Sequence, residues 1–327
     1  MFEETQEKFR KIFTNSLDPD TTKEYLIKLY EDGETPEQIA AAASVMRENL
    51  IPLKVDDNLK DKLIDNCGTG GDKSNSFNIS TTVSILLSAC GAFVAKHGNR
   101  SITSKSGSAD MLEALGVNLD ISLENQVKML EQTGFVFMFA INHHPAMKYI
   151  MPIRKSIDHR TIFNILGPLS NPAGVKKQLI GVFSKDYVPK IAEALSMLDT
   201  KKAMVVSSAD GMDEISISDI TYCALVEDGS YKEFVLDPKE YGLNIYPKSE
   251  IEGGNAKENA TITYDILDGK IVGAKKDIVI LNTAVALFVD GLVDSIEAGI
   301  SLANETISNK KAIEKLNQIV KVSNSFK

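Results

Sequence analysis

Apolar and polar positions follow one period in the first 62 residues and another beyond them. Residues 1–62 carry only the helical repeat. Residues 3–14 are amphipathic, with Phe2, Phe9, Ile12 and Phe13 on one side. A second helix starts at Asp18 or Thr21, runs through Tyr25, Leu26 and Leu29, and stops near Gly33. Thr35 followed by Pro36 reads as an N-cap with proline at the first helical position, opening an alanine-rich helix to residue 48. From residue 63 short apolar runs take over at 63–67, 92–95, 135–140, 179–183 and 203–206, the mark of buried strands. Helical segments at 80–89, 110–115, 122–132, 145–166 and 188–198 separate them. Asn78 or Ser80 caps the first of these, Gly91 ends it, and Gly134 releases the strand at 135. Residues 222–226 and 231–235 predict a hairpin around Asp228-Gly229, and 278–289 a strongly apolar helix with further helices behind it. The pattern predicts an α/β protein in two parts. A small all-helical domain spans 1–62 and is completed by helices near 145–170. A larger α/β domain, 63–144 and 171–327, surrounds a central, mostly parallel sheet, with 167–174 as a rigid connector or hinge between them.

Residues 66–108 hold the densest candidate chemistry. Two loops rich in glycine and hydroxyls, Gly68-Thr69-Gly70-Gly71-Asp72 and Lys96-His97-Gly98-Asn99-Arg100-Ser101, flank one helix-and-strand unit. If the flanking strands are parallel neighbours, both loops leave the same carboxyl edge, where open α/β sheets bind ligands. Glycines admit backbone N–H groups close to phosphate oxygens, and a helix N-terminus adds unpaired donors. Lys96, Arg100 and Lys105 add positive charge, and Ser80, Thr81, Ser101, Ser104 and Ser108 add hydroxyls. The chemistry points to a phosphorylated anion, against the plainer reading of tight structural turns. It is not a Walker A loop, because Asp72 rather than glycine precedes Lys73-Ser74, and the dinucleotide fingerprint lacks its last spacing.

Composition narrows this further. The 327 residues are 43% hydrophobic, enough for a large core. A net charge of −9 argues against a nucleic-acid binder and requires a local basic patch for any anionic substrate. Cys67, Cys90 and Cys223 have no metal-type spacing and read as buried thiols of a cytosolic protein. Met1-Phe2-Glu3-Glu4 is acidic at once, and no apolar run reaches the ~18 residues of a membrane span, so the expectation is a cytoplasmic protein away from membranes. Asp213 and Glu214 follow the strand at 203–206 and suit magnesium, which takes one or two carboxylates beside phosphate oxygens and water. They could equally be a surface pair. His143 and His144 are adjacent, so their side chains diverge, and lining a pocket is the better reading than metal ligation. Arg154 and Arg160 fall in polar positions of the helical segment 145–166, and Arg154 alone would pass for an exposed helical arginine.

GTGGD (68–72) followed by FNIST (77–81), KHGNRS (96–101) followed by SGSAD (106–110) and MLEALG, and RTIFNILGPLSNPAG (160–174) together resemble the anthranilate phosphoribosyltransferase family. The likeness runs from about residue 31 to about 300. It implies a nucleoside phosphorylase/phosphoribosyltransferase-like fold. The implied reaction moves 5-phosphoribose from phosphoribosyl diphosphate to the amine of anthranilate, a step of tryptophan biosynthesis, in a homodimer joined through the helical domain. The resemblance assigns Gly68, Gly71, Asp72, Ser76, Asn78, Ile79, Ser80 and Thr81 to phosphoribosyl diphosphate. It adds Lys96, His97, Gly98, Asn99, Arg100, Ser101, Ile102, Thr103, Ser104 and Ser108 on the ribose and 5-phosphate side. Gly68, Asn99, His144, Arg154 and Pro168 would meet anthranilate, with Arg154 on its carboxylate, and Ser80, Asp213 and Glu214 would hold Mg2+. No nucleophile or general base is implied, because the amine of anthranilate is neutral near pH 7. The chain departs from the family in an N-terminal region shorter by about one helix and in Asp158-His159, where glycine usually precedes the Arg-Thr-Ile-Phe-Asn segment. Two rivals are a pyrimidine nucleoside phosphorylase, whose loop signatures differ, and a non-catalytic relative that binds nucleic acid, which the acidic balance disfavours.

Overall fold

The structure, a computed structural model, describes residues 1–100 and 105–326. Seven strands form one sheet in the order β3-β2-β1-β4-β5-β6-β7. β1 (Leu63–Asp65), β2 (Phe93–Gly98), β3 (Phe135–Phe139), β4 (Lys177–Gly181) and β5 (Lys202–Ser208) run parallel. β6 (Thr221–Glu227) and β7 (Ser230–Leu236) add an antiparallel hairpin, turning at Asp228-Gly229, where both residues have positive φ. The chain leaves β1 toward β2 and β3 on one side, and leaves β4 toward β5 on the other. Neighbouring β1 and β4 therefore make a switch point, and the crevice above their carboxyl ends is where such sheets take ligands.

Side chains alternate across each strand and sort into different cores. Leu179 and Met204 join the helices Ile79–Ala89 and Ala274–Asp290 on one face. Ile180 and Val205 join the helix Tyr187–Ser196 and the amino-terminal helices on the other. Those amino-terminal helices are Phe2–Phe13, Pro19–Asp32 and Pro36–Glu48, and Phe9, Ile12, Phe13, Leu26 and Leu29 form their buried stripe. The helical layer thus shares its core with the sheet. The expected caps form: the Asp18 carboxylate accepts from Thr21 N–H at 2.9 Å, and Thr35 with Gln38 makes a capping box.

The structure differs from the sequence reading in three places. β2 continues through Lys96 and His97 to Gly98, so the second loop is shorter than the composition suggested. Residues 145–166 are not one helix but two, Met147–Lys155 and Phe163–Leu166, with irregular chain between. Asp158 lies in this break and outside the left-handed region, so the turn accepts a side chain. A helix at Ala256–Leu267 escaped the reading, although Asn255 and Glu258 form a capping box at its start. The connector after residue 166 is a 3-10 turn, Pro168–Ser170, with Leu169 and Ser170 fully buried.

Candidate active site

The site begins where β1 ends. Thr69 N–H donates to Gly181 O at 2.8 Å, closing the β1 loop onto the end of β4. Gly70 N–H donates to Asp213 Oδ2 at 2.6 Å, and Asp213 N–H faces Asp72 Oδ2 at 3.4 Å. A Cβ on Gly68 would stand 2.8 Å from Asp213 Oδ2, and one on Gly181 would stand 1.6 Å from Asp213 O. Close backbone approach therefore demands Gly181, while Gly68 makes room for the Asp213 carboxylate, and Gly181 was not singled out in the sequence. Its only signal there is a glycine at the end of a buried strand.

Three carboxylates share this crevice. Burial, and then the charge of Asp72, push the Asp213 carboxyl up to about 7. Burial and the Asp213 charge raise Glu214 well above the usual carboxylate range, while Lys96 and the Ser80 backbone N–H pull it back. Among the described residues, none of Asp72, Asp213 and Glu214 forms a salt bridge. Crowded, unpaired carboxylates of this kind fit a hard cation. No group of three or more His, Cys, Asp or Glu among the described residues is arranged to hold a metal, so a bound ion here needs oxygens from a ligand as well.

Behind the carboxylates lies a buried polar base. Lys96 is 1% exposed, its Nζ 3.4 Å from Asn66 O, Asn66 Oδ1 and Ser80 Oγ. Asn66 Nδ2 donates to Ser80 O at 2.7 Å, and Ser84 Oγ donates to Asn66 Oδ1 at 2.6 Å. Asp65 accepts from Asn171 Nδ2 at 2.7 Å and from His97 N–H at 3.3 Å. Burial raises its carboxyl to about 6. Asp65 and Asn66 are polar residues inside an apolar run, and that contrast is the signal by which they could have been found.

Several expected ligand contacts are occupied by protein. Thr81 is fully buried and Ile79 is 2% exposed, so neither side chain opens on the crevice. Asn78 sits at the N-cap position of its helix without a side-chain cap bond. Its Nδ2 donates to Ser106 O, and its Oδ1 accepts from Asn259 Nδ2 at 2.8 Å, tying three segments together. Ser76 Oγ accepts from Ser74 Oγ. Arg100 is paired with Asp110 at 3.0 Å and Glu113 at 2.6 Å, acids brought over by the next helix. Ser101, Ile102, Thr103 and Ser104 lie outside the described residues. Gly98 has no room for a Cβ, which would stand 2.6 Å from the Phe137 ring, and Ser108 opens the helix Ser108–Ala114 beside it. Asn99 is exposed, and its carbonyl accepts from Ala109 N–H at 3.3 Å.

Toward the helical layer the pocket becomes aromatic. His97 Nδ1 lies 3.2 Å from Gly167 O, the residue before Pro168, and His97 Nε2 lies 3.3 Å from His144 Nε2. A carbonyl only accepts, so the proton sits on His97 Nδ1. Burial holds His97 near 3 and His144 near 4, both neutral at pH 7. His97 Nε2 then accepts from His144 Nε2–H, and His144 Nδ1 is left as an acceptor. His143 turns the other way, its Nδ1 2.7 Å from Ile51 O. Pro168 is buried and gives its carbonyl to Gln178 Nε2 at 2.7 Å. The Arg154 guanidinium is partly buried over the Phe163 ring at 5.7 Å, and among the described residues it meets no carboxylate. No described helix is long and apolar enough to cross a membrane, and the three cysteines are free.

This arrangement can be set beside known proteins. The family described as "Glycosyl transferase family, a/b domain" matches residues 60–313. The chain is 44% identical over 315 residues to an anthranilate phosphoribosyltransferase of Exiguobacterium sibiricum, covering 96% of this chain and 92% of that one. It is 46% identical over 301 residues to another from Methanobrevibacter smithii, covering 92% and 88%. The crystal structure of anthranilate phosphoribosyltransferase from Thermus thermophilus superposes with a TM-score of 0.93 at 36% identity, over 99% of this chain and 96% of that one. The Saccharomyces cerevisiae enzyme in complex with PRPP and Mg gives 0.84 at 28% identity, over 94% and 86%. The seven-stranded α/β architecture, the glycine loop at its switch point and these likenesses agree: the chain belongs to the anthranilate phosphoribosyltransferase family.

Proposed function

We propose that the chain transfers the 5-phosphoribosyl group of phosphoribosyl diphosphate to the amine of anthranilate and releases diphosphate, a step of tryptophan biosynthesis. The observation that carries this is the convergence of the 68–72 loop and Asp213 in one crevice, joined by the 2.6 Å contact of Gly70 N–H with Asp213 Oδ2. The Saccharomyces cerevisiae relative is described with PRPP and Mg, and in another structure with 4-fluoroanthranilate, which supports the same pair of substrates here. Free amides of the loop, with the first turn of the helix at Ser80, would hold the diphosphate, and Asn99, Ser108 and the segment 101–104 would hold the ribose and 5-phosphate. Asp213, Glu214 and Ser80 would hold magnesium, with Asp72 behind them. The bound ion supplies positive charge against the leaving diphosphate. Lys96, against Asn66 and Ser80, would add a fixed cation on the ribose and 5-phosphate side. Arg154 suits the anthranilate carboxylate because a guanidinium fork can meet both oxygens. His144 and Pro168 would line the ring, with His144 Nδ1 open to an N–H of the substrate. Alignment and charge stabilisation suffice, so no side chain is asked to act as nucleophile or strong base.

The two-part organisation follows the same reading: 1–62 with helices near 145–170 would face 63–144 and 171–327 across the substrates and exclude water. A homodimer through the helical part and a cytoplasmic location complete the proposal. Its test is the loss of anthranilate fluorescence on mixing protein, phosphoribosyl diphosphate and magnesium. The expected result is metal-dependent consumption that Asp213→Ala with Glu214→Ala removes almost entirely. A full rate in that double variant overturns the metal assignment, and phosphorolysis of thymidine or uridine would favour the nucleoside phosphorylase reading instead.

A further inference from the structure

The 68–75 loop takes a left-handed backbone at four positions, and at Lys73 and Asn75 it does so with a side chain. Gly70 and Gly71 have φ of 67° and 77°, and Lys73 and Asn75, which carry side chains, have 59° and 56°. Such backbone persists only where its surroundings hold it. Asp213 holds it on one side, and Gly253 N–H bonds to Asn75 O at 2.9 Å. A further hold, on the Gly71 carbonyl, comes from Arg160. Its Nη2 donates to Gly71 O, and its guanidinium lies over the Phe183 ring at 3.8 Å. Phe183 follows β4 and packs on Tyr187 at 5.1 Å, whose hydroxyl bonds to Glu34 at 2.7 Å in the helical layer. Next to Arg160, the His159 ring stacks on Tyr30 of that layer at 4.0 Å.

A trans peptide points its C=O and N–H to opposite sides. Fixing the Gly71 carbonyl on Arg160 therefore fixes the Asp72 N–H on the face away from it. Among the described residues that N–H has no acceptor. We propose that Arg160 is a positioning residue for the anion cradle: it turns the Gly71–Asp72 peptide so that its N–H serves a phosphate, and it makes that orientation depend on the docked helical layer. This rests on the reading that the 68–72 loop takes the diphosphate.

The test combines kinetics with amide signals of the ligand-free protein. In Arg160→Ala, the KM for phosphoribosyl diphosphate should rise roughly 10- to 100-fold, the loss of one charge-assisted bond, with the anthranilate KM nearly unchanged. The 15N–1H signals of Gly71 and Asp72 should move before any ligand is added. Arg160→Lys, which can reach the carbonyl but has no flat face for Phe183, should fall between. Phe183→Leu should shift the same two signals less, and it preserves the test should Arg160→Ala not fold. An unchanged KM overturns the proposal. So does a raised KM with unmoved amides, which would make Arg160 a direct phosphate contact. Failure of the wild-type protein to consume anthranilate would instead count against the functional reading, and the amide signals would still decide the role of Arg160.

Discussion

The loops that follow β1 and β2 are built from the same residue types, yet the fold leaves them with opposite properties. After β1, the Asp72 amide has no acceptor among the described residues, Asp72, Asp213 and Glu214 form no salt bridge there, and four residues between Gly70 and Asn75 have positive φ. At the end of β2 and just beyond it, two of the three cations are already taken up, while Lys105 is exposed. Lys96 is inside the sheet edge against Asn66 and Ser80, and Arg100 is neutralised by Asp110 and Glu113. Composition made both loops look like phosphate cradles. Position relative to the switch point, and the acids supplied by neighbouring helices, decide which groups remain available to a ligand.

The largest effect should come from closing the crevice itself. Gly181→Ala drives a Cβ to within 1.6 Å of Asp213 O, backbone that cannot swing aside. We expect loss of almost all activity and roughly 3–5 kcal/mol of stability, read by turnover and thermal unfolding. A variant near wild type in both would mean that the β4 end and the 213 loop are not locked together. Next in size is Arg154→Gln, which should raise the anthranilate KM about 10- to 100-fold while leaving that for phosphoribosyl diphosphate nearly unchanged. The reverse pattern would move Arg154 to the phosphate side.

The histidine pair gives a smaller, pH-dependent effect. His97 and His144 are held near 3 and 4 by burial, below an ordinary value of 6.5. The unfolded chain therefore takes up their protons first, and their contribution is complete above about pH 6.5 and lost as pH falls toward 3. The carboxylates Asp65, Asp213 and Glu214, raised by desolvation, carry the opposite sign, since the fold retains their protons. They are common to both proteins when wild type is compared with His97→Gln/His144→Gln. The variant should gain on wild type by up to ~1.4 kcal/mol per pH unit per histidine as pH falls below 6.5. Parallel stability curves would contradict neutral, buried rings. Smallest of all is Arg100→Ala: exposed ion pairs contribute about 1 kcal/mol or less, and the KM for phosphoribosyl diphosphate should move no more than about threefold. A large rise would show Arg100 leaving Asp110 and Glu113 for the ligand, and would erase the contrast between the loops.

Much of the fold was legible because its signals are local. Short apolar runs located the five parallel strands, the Asp228-Gly229 turn located the hairpin of β6 and β7, and Asp18, Thr35 and Gly134 marked helix ends where the structure has them. The motif residues Gly68, Asp72 and Asp213 could be named from the sequence, and the fold brings them within one crevice. What stayed hidden depends on distant partners. Lys96 and His97 look like loop residues because they are polar, but the hydrogen bonds they donate to Asn66, Ser80 and Gly167 let a strand carry them inward. Arg100 looks free until the helix Ser108–Ala114 delivers its acids. Asn78 reads as a cap, yet its partner Asn259 lies 181 residues away. Gly181 is one of 21 glycines, and only the approach of Asp213 makes it indispensable.

The central claim is that the 68–72 amides and the Asp213–Glu214 carboxylates form one metal-dependent diphosphate site. Calorimetric titration of phosphoribosyl diphosphate, with and without magnesium, into wild-type protein and the Asp213→Ala/Glu214→Ala variant tests it directly. The account predicts binding that magnesium strengthens in the wild type and leaves unchanged in the variant. Equal magnesium-dependent binding in both proteins would contradict it.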